Sequence, residues 1–349
     1  MKSRIWIGAG ITVLCIIAIG IIGWIISGRT TSLTLTPLSN IPLKEKPLEK
    51  YTIENLSKRT YTPSPIVFEE PIATTSSYTV LPFYFKSDGP TSSREAGLRG
   101  VKKKVTGLAH VPNTPLSNKL PVIVQFRGFA DREAYVPGLG TKHSAEVFAQ
   151  NGFVSLAPDF LGYGGSDKGS ENVFEDRFET YTTALNLLAS IPTISFVDPS
   201  KVFLWGHSNG GQIALTVLSI LGEKGDKYPT SLWAPVTKIF PYSILYYTDE
   251  FDDHGKALRK ELAQFEKDYD TDLYAFTNYL DRTAAPIIFH QGTDDESVPL
   301  KWSSDFVKEM QGRGKTIRSY IYQGADHNLS TGWNTVISRD VDFFRSFLH

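Results

Sequence analysis

Beyond its first fifty residues the chain alternates between short runs that are apolar throughout and longer segments whose apolar positions recur at helical spacing. Residues 121–126 (PVIVQF) and 153–157 (FVSLA) have the unbroken hydrophobicity of strands buried on both faces. Further strands are expected just ahead of Ser208, over 232–236, 287–290 and 318–322. Helical periodicity marks 145–150, 176–189, the segment from Asn209 to Leu221, and 336–347. Strands alternating with helices predict an α/β fold whose mostly parallel central sheet is covered on both faces. In such a sheet, chemistry gathers at the carboxyl ends of the strands. Two alternating runs, 78–85 and 104–111, predict an antiparallel start to the sheet. The pieces between Tyr51 and Thr75 read as a strand or turn on the domain edge.

The first thirty residues change this picture. From Ile5 to Ile26 no charge interrupts the apolar run, which at about twenty residues is long enough to cross a roughly 30 Å hydrocarbon layer as a helix. Lys2 and Arg4 precede it and Arg29 follows, favouring a cytoplasmic N-terminus and an exported body. The run is longer than a signal-peptide core and no small-residue cleavage site follows, so an uncleaved signal anchor is expected. Pro37, Pro42 and Pro47 then break any helix across a Thr- and Ser-rich tether. The expected organisation is an anchor over 1–28, a linker over 29–50 and one catalytic domain over 51–349. Within that domain, 51–111 forms an N-terminal extension with the first strands, and 249–282 is too long for a plain loop. Leu258, Leu262, Phe265 and Tyr269 fall at helical spacing there, which suits a small lid.

Composition adds mostly exclusions. A net charge of −1 carries no electrostatic footprint for nucleic acid. Cys15, the only cysteine, lies inside the apolar run, so the rest of the chain has no disulfide, thiolate metal site or thiol nucleophile.

The chemistry is concentrated in the strand-end loops. Gly206-His207-Ser208-Asn209-Gly210 is a G-x-S-x-G between a strand pattern and a helix pattern, the context a nucleophilic serine at a sharp turn requires. Gly206 and Gly210 leave room for strand and helix to close on each other. The backbone N–H of Asn209, at the helix start, is a natural oxyanion donor; the N–H of Phe129, after Arg127-Gly128, is a second. A serine needs an imidazole base and the imidazole needs a carboxylate. Asp294, Asp295 and Glu296 follow one strand and cannot be ranked by chemistry alone; His327 follows the next. Serine, acid, histidine is the chain order of α/β-hydrolases. The remaining histidines read as structural, none with metal-ligand spacing, and the Gly-rich loop at 162–165 lacks the register of a phosphate cradle, so no metal or cofactor is expected.

Taken together, these fragments resemble the catalytic domain of the prolyl oligopeptidase-like (S9-type) and dienelactone hydrolase-like α/β-hydrolases, without a β-propeller. The resemblance rests on Lys104-Val105-Thr106-Gly107-Leu108, Pro121-Val122-Ile123-Val124 with Arg127-Gly128, and Ala157-Pro158-Asp159 with Gly162-Tyr163-Gly164. It continues through Gly206 to Gly211, Gly292-Thr293-Asp294-Asp295 with Val298-Pro299, and Gly324-Ala325-Asp326-His327. It implies Asp295 as the triad acid, three residues before Val298, with Ser208 as nucleophile and His327 as base. One departure stands out: the family usually has histidine where this chain has Arg127. The implied activity is that of a serine hydrolase cleaving ester or peptide bonds through an acyl-enzyme, an S9-like serine peptidase first, which the apolar run would hold at a membrane. A carboxylesterase and a silent hydrolase fold used as a binding module are the alternatives. The oligomeric state is not legible.

Overall fold

Strand β7 (Val197–His207) shows why the sheet carries helices on both faces. Successive side chains of a strand point to opposite sides; here Val202 and Leu204 enter one hydrophobic cluster while Phe203 and Trp205 enter another. Neither face can be left to water.

In the computed structural model the described residues are 45–88, 102–113, 119–248 and 252–348. The apolar run 5–26, the tether as far as Lys44 and residues 249–251 of the expected lid lie outside them; among the described residues no helix is long and apolar enough to cross a membrane. Residues 46–349 form one unit. Lys46–Lys50, read from sequence as the end of the linker, belong to it: Leu48 is buried in the core and its carbonyl accepts from Tyr274 Oη at 3.1 Å.

The elements run α1 (Ile53–Lys58), β1 (Val67–Phe68), β2 (Ala73–Thr74), β3 (Tyr78–Asp88), β4 (Lys102–Pro112), β5 (Leu120–Phe126), α2 (Lys142–Gln150), β6 (Val154–Pro158), α3 (Val173–Ser190), β7, α4 (Asn209–Leu221) and β8 (Thr230–Trp233). They continue with α5 (Tyr242–Leu245), α6 (Lys256–Asp268), β9 (Ile287–Gly292), α7 (Leu300–Gly312), β10 (Ile317–Tyr322) and α8 (Trp333–Arg345). The sheet order is β1-β3-β4-β6-β5-β7-β8-β9-β10, with β2 on β3. Strands β1 to β4 pair antiparallel, as does β4 with β6; from β6 to β10 every neighbour is parallel. The carboxyl ends of β5, β7, β8, β9 and β10 therefore open on one edge.

Two expectations need correction. Residues 53–58 are helical rather than a strand or turn, because the Thr52 hydroxyl caps the Asn55 amide at 3.2 Å and Ile53 and Leu56 bury on one side. Helix α7 was not expected, although Trp302, Phe306, Val307 and Met310 give it a buried stripe. Within 249–282 the helical spacing is met by α6: Leu262 and Phe265 are buried, with Leu258 and Tyr269 packed beside them. Phe265 sits among the rings of Phe174, Phe178 and Tyr274 at 4.9, 6.1 and 5.1 Å.

Two histidines bear on how the fold is expected to respond to acid. His110 is 1% exposed and neither ring nitrogen has a partner among the described residues; burial pushes its imidazole down to about 4. Burial and the neighbouring His327 push His207 down to about 4 as well. Below about pH 6.5 the unfolded chain takes protons that the folded chain refuses until about pH 4, so their stabilisation is whole above that window and is lost as the pH falls through it. The thermal midpoint is expected to drop across this window and His110→Phe to flatten the drop; a midpoint constant from neutrality to about pH 5 contradicts this account.

Candidate active site

Strand β7 delivers Ser208 to a turn where its own backbone stands at φ 56°, ψ −120°, a region L residues avoid. The surroundings enforce it. The Ser208 amide donates to the Trp233 carbonyl at 2.9 Å, and its carbonyl accepts from the amides of Gly211 at 3.0 Å and Val236 at 3.1 Å. The two elbow glycines are required by close approach. A Cβ at Gly206 would lie 2.6 Å from the Gly210 carbonyl oxygen, and one at Gly210 only 1.9 Å from that of Phe126.

Helix α4 starts at Asn209, so its first amides have no intrahelical partner. Among the described residues neither the Asn209 nor the Phe129 amide has an acceptor. The loop carrying Phe129 runs beside the nucleophile: a Cβ at Gly128 would sit 3.2 Å from Ser208 Cβ. Both amides thus lie near Ser208 with their donors unused.

Of the three carboxylates that sequence left open, only Asp295 is bonded to His327. Nδ1 of His327 donates to both oxygens, at 3.0 and 2.9 Å. Asp295 is 8% exposed and also accepts from the amides of Ser297 and Val298 at 2.9 and 2.7 Å and from Gln291 Nε2 at 2.8 Å. Gln291 is in turn held by Ser303 of α7 at 2.7 Å. Burial pushes the Asp295 carboxyl up, but the hydrogen bonds from His327, Val298 and Gln291 outweigh it and hold the group below the ordinary carboxylate range. Asp294 instead takes the Thr293 hydroxyl at 2.8 Å. With its proton on Nδ1, His327 has Nε2 free to act as a base. No hydrogen bond within 3.5 Å joins Ser208 Oγ to that nitrogen; in ligand-free sites this bond is often long and tightens with substrate.

Sequence reasoning missed what holds the imidazole in place. His207 Nε2 donates to the His327 carbonyl at 3.0 Å, and the two rings are 4.7 Å apart. Beyond the loop, Asp340 of α8 is fully buried and accepts from Ser231 Oγ at 2.6 Å, Trp233 Nε1 at 2.7 Å and His290 Nε2 at 2.9 Å. This network ties α8 to β8 and β9, and so fixes the far end of the loop that carries His327. An aspartate at helical spacing in a terminal helix gave no local sign of it.

Arg127, the departure seen in sequence, is buried. Its guanidinium donates to the carbonyls of Gly128 at 2.9 Å and Asp159 at 3.2 Å and stacks over Tyr163 at 4.0 Å and Tyr135 at 4.7 Å. Tyr135 and Thr106 each donate to the Asp159 carboxylate at 2.6 Å. The arginine thereby anchors the peptide unit that carries the Phe129 N–H.

Two cavities open beside the elbow. One of about 640 Å³ reaches from Phe129 and Asn209 to Arg177 and Leu258. The other, about 570 Å³, is walled by Trp205, Trp233 and Trp333 and touches His207 and Asn328.

This arrangement of elbow, buried acid and loop histidine on a mostly parallel sheet defines an α/β-hydrolase. The model of the prolyl oligopeptidase family (Peptidase_S9) matches residues 140–349, and the chain belongs to that family of hydrolases. It is similar to the uncharacterized peptidase YtmA of Bacillus subtilis, 21% identical over 62% of this chain and 82% of that one. The chain spans about a quarter of the yeast dipeptidyl aminopeptidases it also matches. Among solved structures, an acetyl xylan esterase from Paenibacillus sp. R4 shares the fold with a TM-score of 0.59 at 16% identity, covering 83% of this chain and 91% of that one. A puromycin-hydrolyzing peptidase of Mycobacterium tuberculosis shares it with a TM-score of 0.58 at 17% identity, covering 79% and 40%.

Proposed function

We propose that the protein is a membrane-anchored serine peptidase working through Ser208, His327 and Asp295, with residues 5–26 as the anchor and the catalytic domain outside the cytoplasm. His327 Nε2 takes the Ser208 proton as Oγ attacks the scissile carbonyl, and the amides of Asn209 and Phe129 receive the oxyanion. Collapse breaks the bond to the leaving group, to which His327 passes the proton it took from Ser208. Water then attacks the acyl-enzyme by the same route and frees Ser208. The reading is carried by the His327–Asp295 pair, bonded through both carboxylate oxygens, at the same sheet edge as a serine in a strained elbow.

A carboxylesterase is the second reading, favoured by the near-complete coverage of an esterase of the same fold. The test is to compare turnover of a p-nitrophenyl ester with that of a proline-containing peptide anilide, and to locate the label left by a fluorophosphonate on the intact membrane fraction. Labelling at Ser208 with anilide turnover is expected. Turnover of the ester alone transfers the assignment to the esterase reading, and absence of both labelling and turnover leaves a binding module.

A further inference from the structure

Among the described residues Arg177 of α3 has one hydrogen-bond partner: its Nη2 donates to Gln212 Oε1 of α4. Its Nε is buried with no acceptor, and no carboxylate among the described residues lies within ion-pair distance of it. The acids that share its cavity are otherwise placed. Asp176 is taken by Arg132 at 2.6 Å, Asp131 accepts from the Glu133 amide at 2.7 Å, and Glu133 is exposed. A half-buried guanidinium with unused donors is costly unless something anionic completes it. Here it faces the cavity that begins at Asn209 and Phe129.

The position of that cavity says which part of a substrate reaches the arginine. The leaving group must lie where His327 can return the proton, yet neither His327 nor Asp295 lines this cavity. It therefore takes the acyl side of the scissile bond. Gln212 stands one helical turn along α4 from Asn209, so a group bound by Arg177 is on the order of 10 Å from the carbonyl under attack.

We infer that Arg177 is a specificity-determining residue for substrates whose acyl part ends in a carboxylate, which it binds at the far end of the cavity lined by Asn209. The inference rests on the acyl-enzyme reading above. The guanidinium offers the carboxylate charge-assisted bonds that a neutral acyl chain cannot make, and the buried Gln212 side chain, itself donating to the Lys238 carbonyl and the Ser243 hydroxyl at 3.3 Å, keeps it in place when empty.

The test uses mono-p-nitrophenyl esters of α,ω-dicarboxylic acids, from succinate to suberate, against neutral esters of equal length on the full chain. For the wild type, kcat/KM is expected to favour one carboxylate chain length by about tenfold to hundredfold, less so in high salt. Arg177→Met should abolish that preference while keeping turnover of the neutral esters; Arg177→Lys should keep part of it. No preference in the wild type, a preference that survives in Arg177→Met, or an equal loss on both ester series overturns the inference. If the neutral esters are hydrolysed only with Ser208 present, such a failure leaves the serine-hydrolase reading intact. If Ser208→Ala still hydrolyses them, both fall.

Discussion

Ser208→Ala is expected to lower kcat by about 10⁶-fold and Asp295→Asn by about 10⁴-fold, with KM little changed in either. The ranking follows from what each group does. Without the hydroxyl there is no acyl-enzyme, and only the two amides and substrate binding remain to assist attack by water. With asparagine at 295 the nucleophile survives, but an amide NH₂ replaces one oxygen that now accepts a hydrogen bond. Asp295 Oδ1 receives the Ser297 and Val298 amides, and Oδ2 receives Gln291 Nε2, while His327 donates to both. Any orientation of asparagine therefore sets one donor against another, and relief comes by turning His327 to the tautomer that puts a proton on Nε2. Asp295→Asn should consequently lower the thermal midpoint as well, whereas Ser208→Ala should not. Rates from burst-free steady-state assays, read beside thermal melts, check both. An Asp295→Asn enzyme within tenfold of wild type removes this carboxylate from the mechanism.

The alternation that marks the parallel sheet was legible because buried strands and amphipathic helices leave opposite periodicities in any window of the chain. The elbow was legible for a related reason: the glycines at 206 and 210 are demanded by backbone contacts under 3 Å, and such contacts leave glycine no substitute. The choice among Asp294, Asp295 and Glu296 was not local. It depends on which carboxylate the following turn aims at a histidine on another loop, and only the resemblance to a family ranked them. Least legible were the supports. His207, Asp340 and His290 act through partners more than thirty residues away, and a single buried polar side chain leaves no periodic trace. Helix α7 leaves a weak signal despite its buried stripe, because Lys301, Ser303 and Ser304 dilute the apolar pattern at its start.

The second large effect concerns Arg127. Arg127→Met is expected to destabilise the fold by about 2–5 kcal/mol, because the carbonyls of Gly128 and Asp159 lose their donor in a buried site at about 1–3 kcal/mol each and the stacking on two tyrosines goes with it. Burial already pushes the Asp159 carboxyl up, with Thr106, Tyr135 and Arg127 pulling it back, so removing the cation also leaves that carboxylate less well compensated. The catalytic consequence comes through the backbone. The Gly128 carbonyl belongs to the peptide unit whose N–H is that of Phe129, so the bond from Arg127 Nη1 at 2.9 Å fixes the plane of that amide. Freed, the amide can turn from the oxyanion, and loss of one such donor lowers kcat by about 10²- to 10³-fold without a matching rise in KM. Arg127→Lys should restore little, since a compact ammonium cannot reach two carbonyls at once while keeping contact with the rings of Tyr135 and Tyr163. Denaturant melts together with separate kcat and KM values decide it. A variant that loses stability but keeps kcat makes the arginine a purely structural support, whereas loss of both places the replacement of the usual histidine at the centre of how this chain builds its oxyanion site.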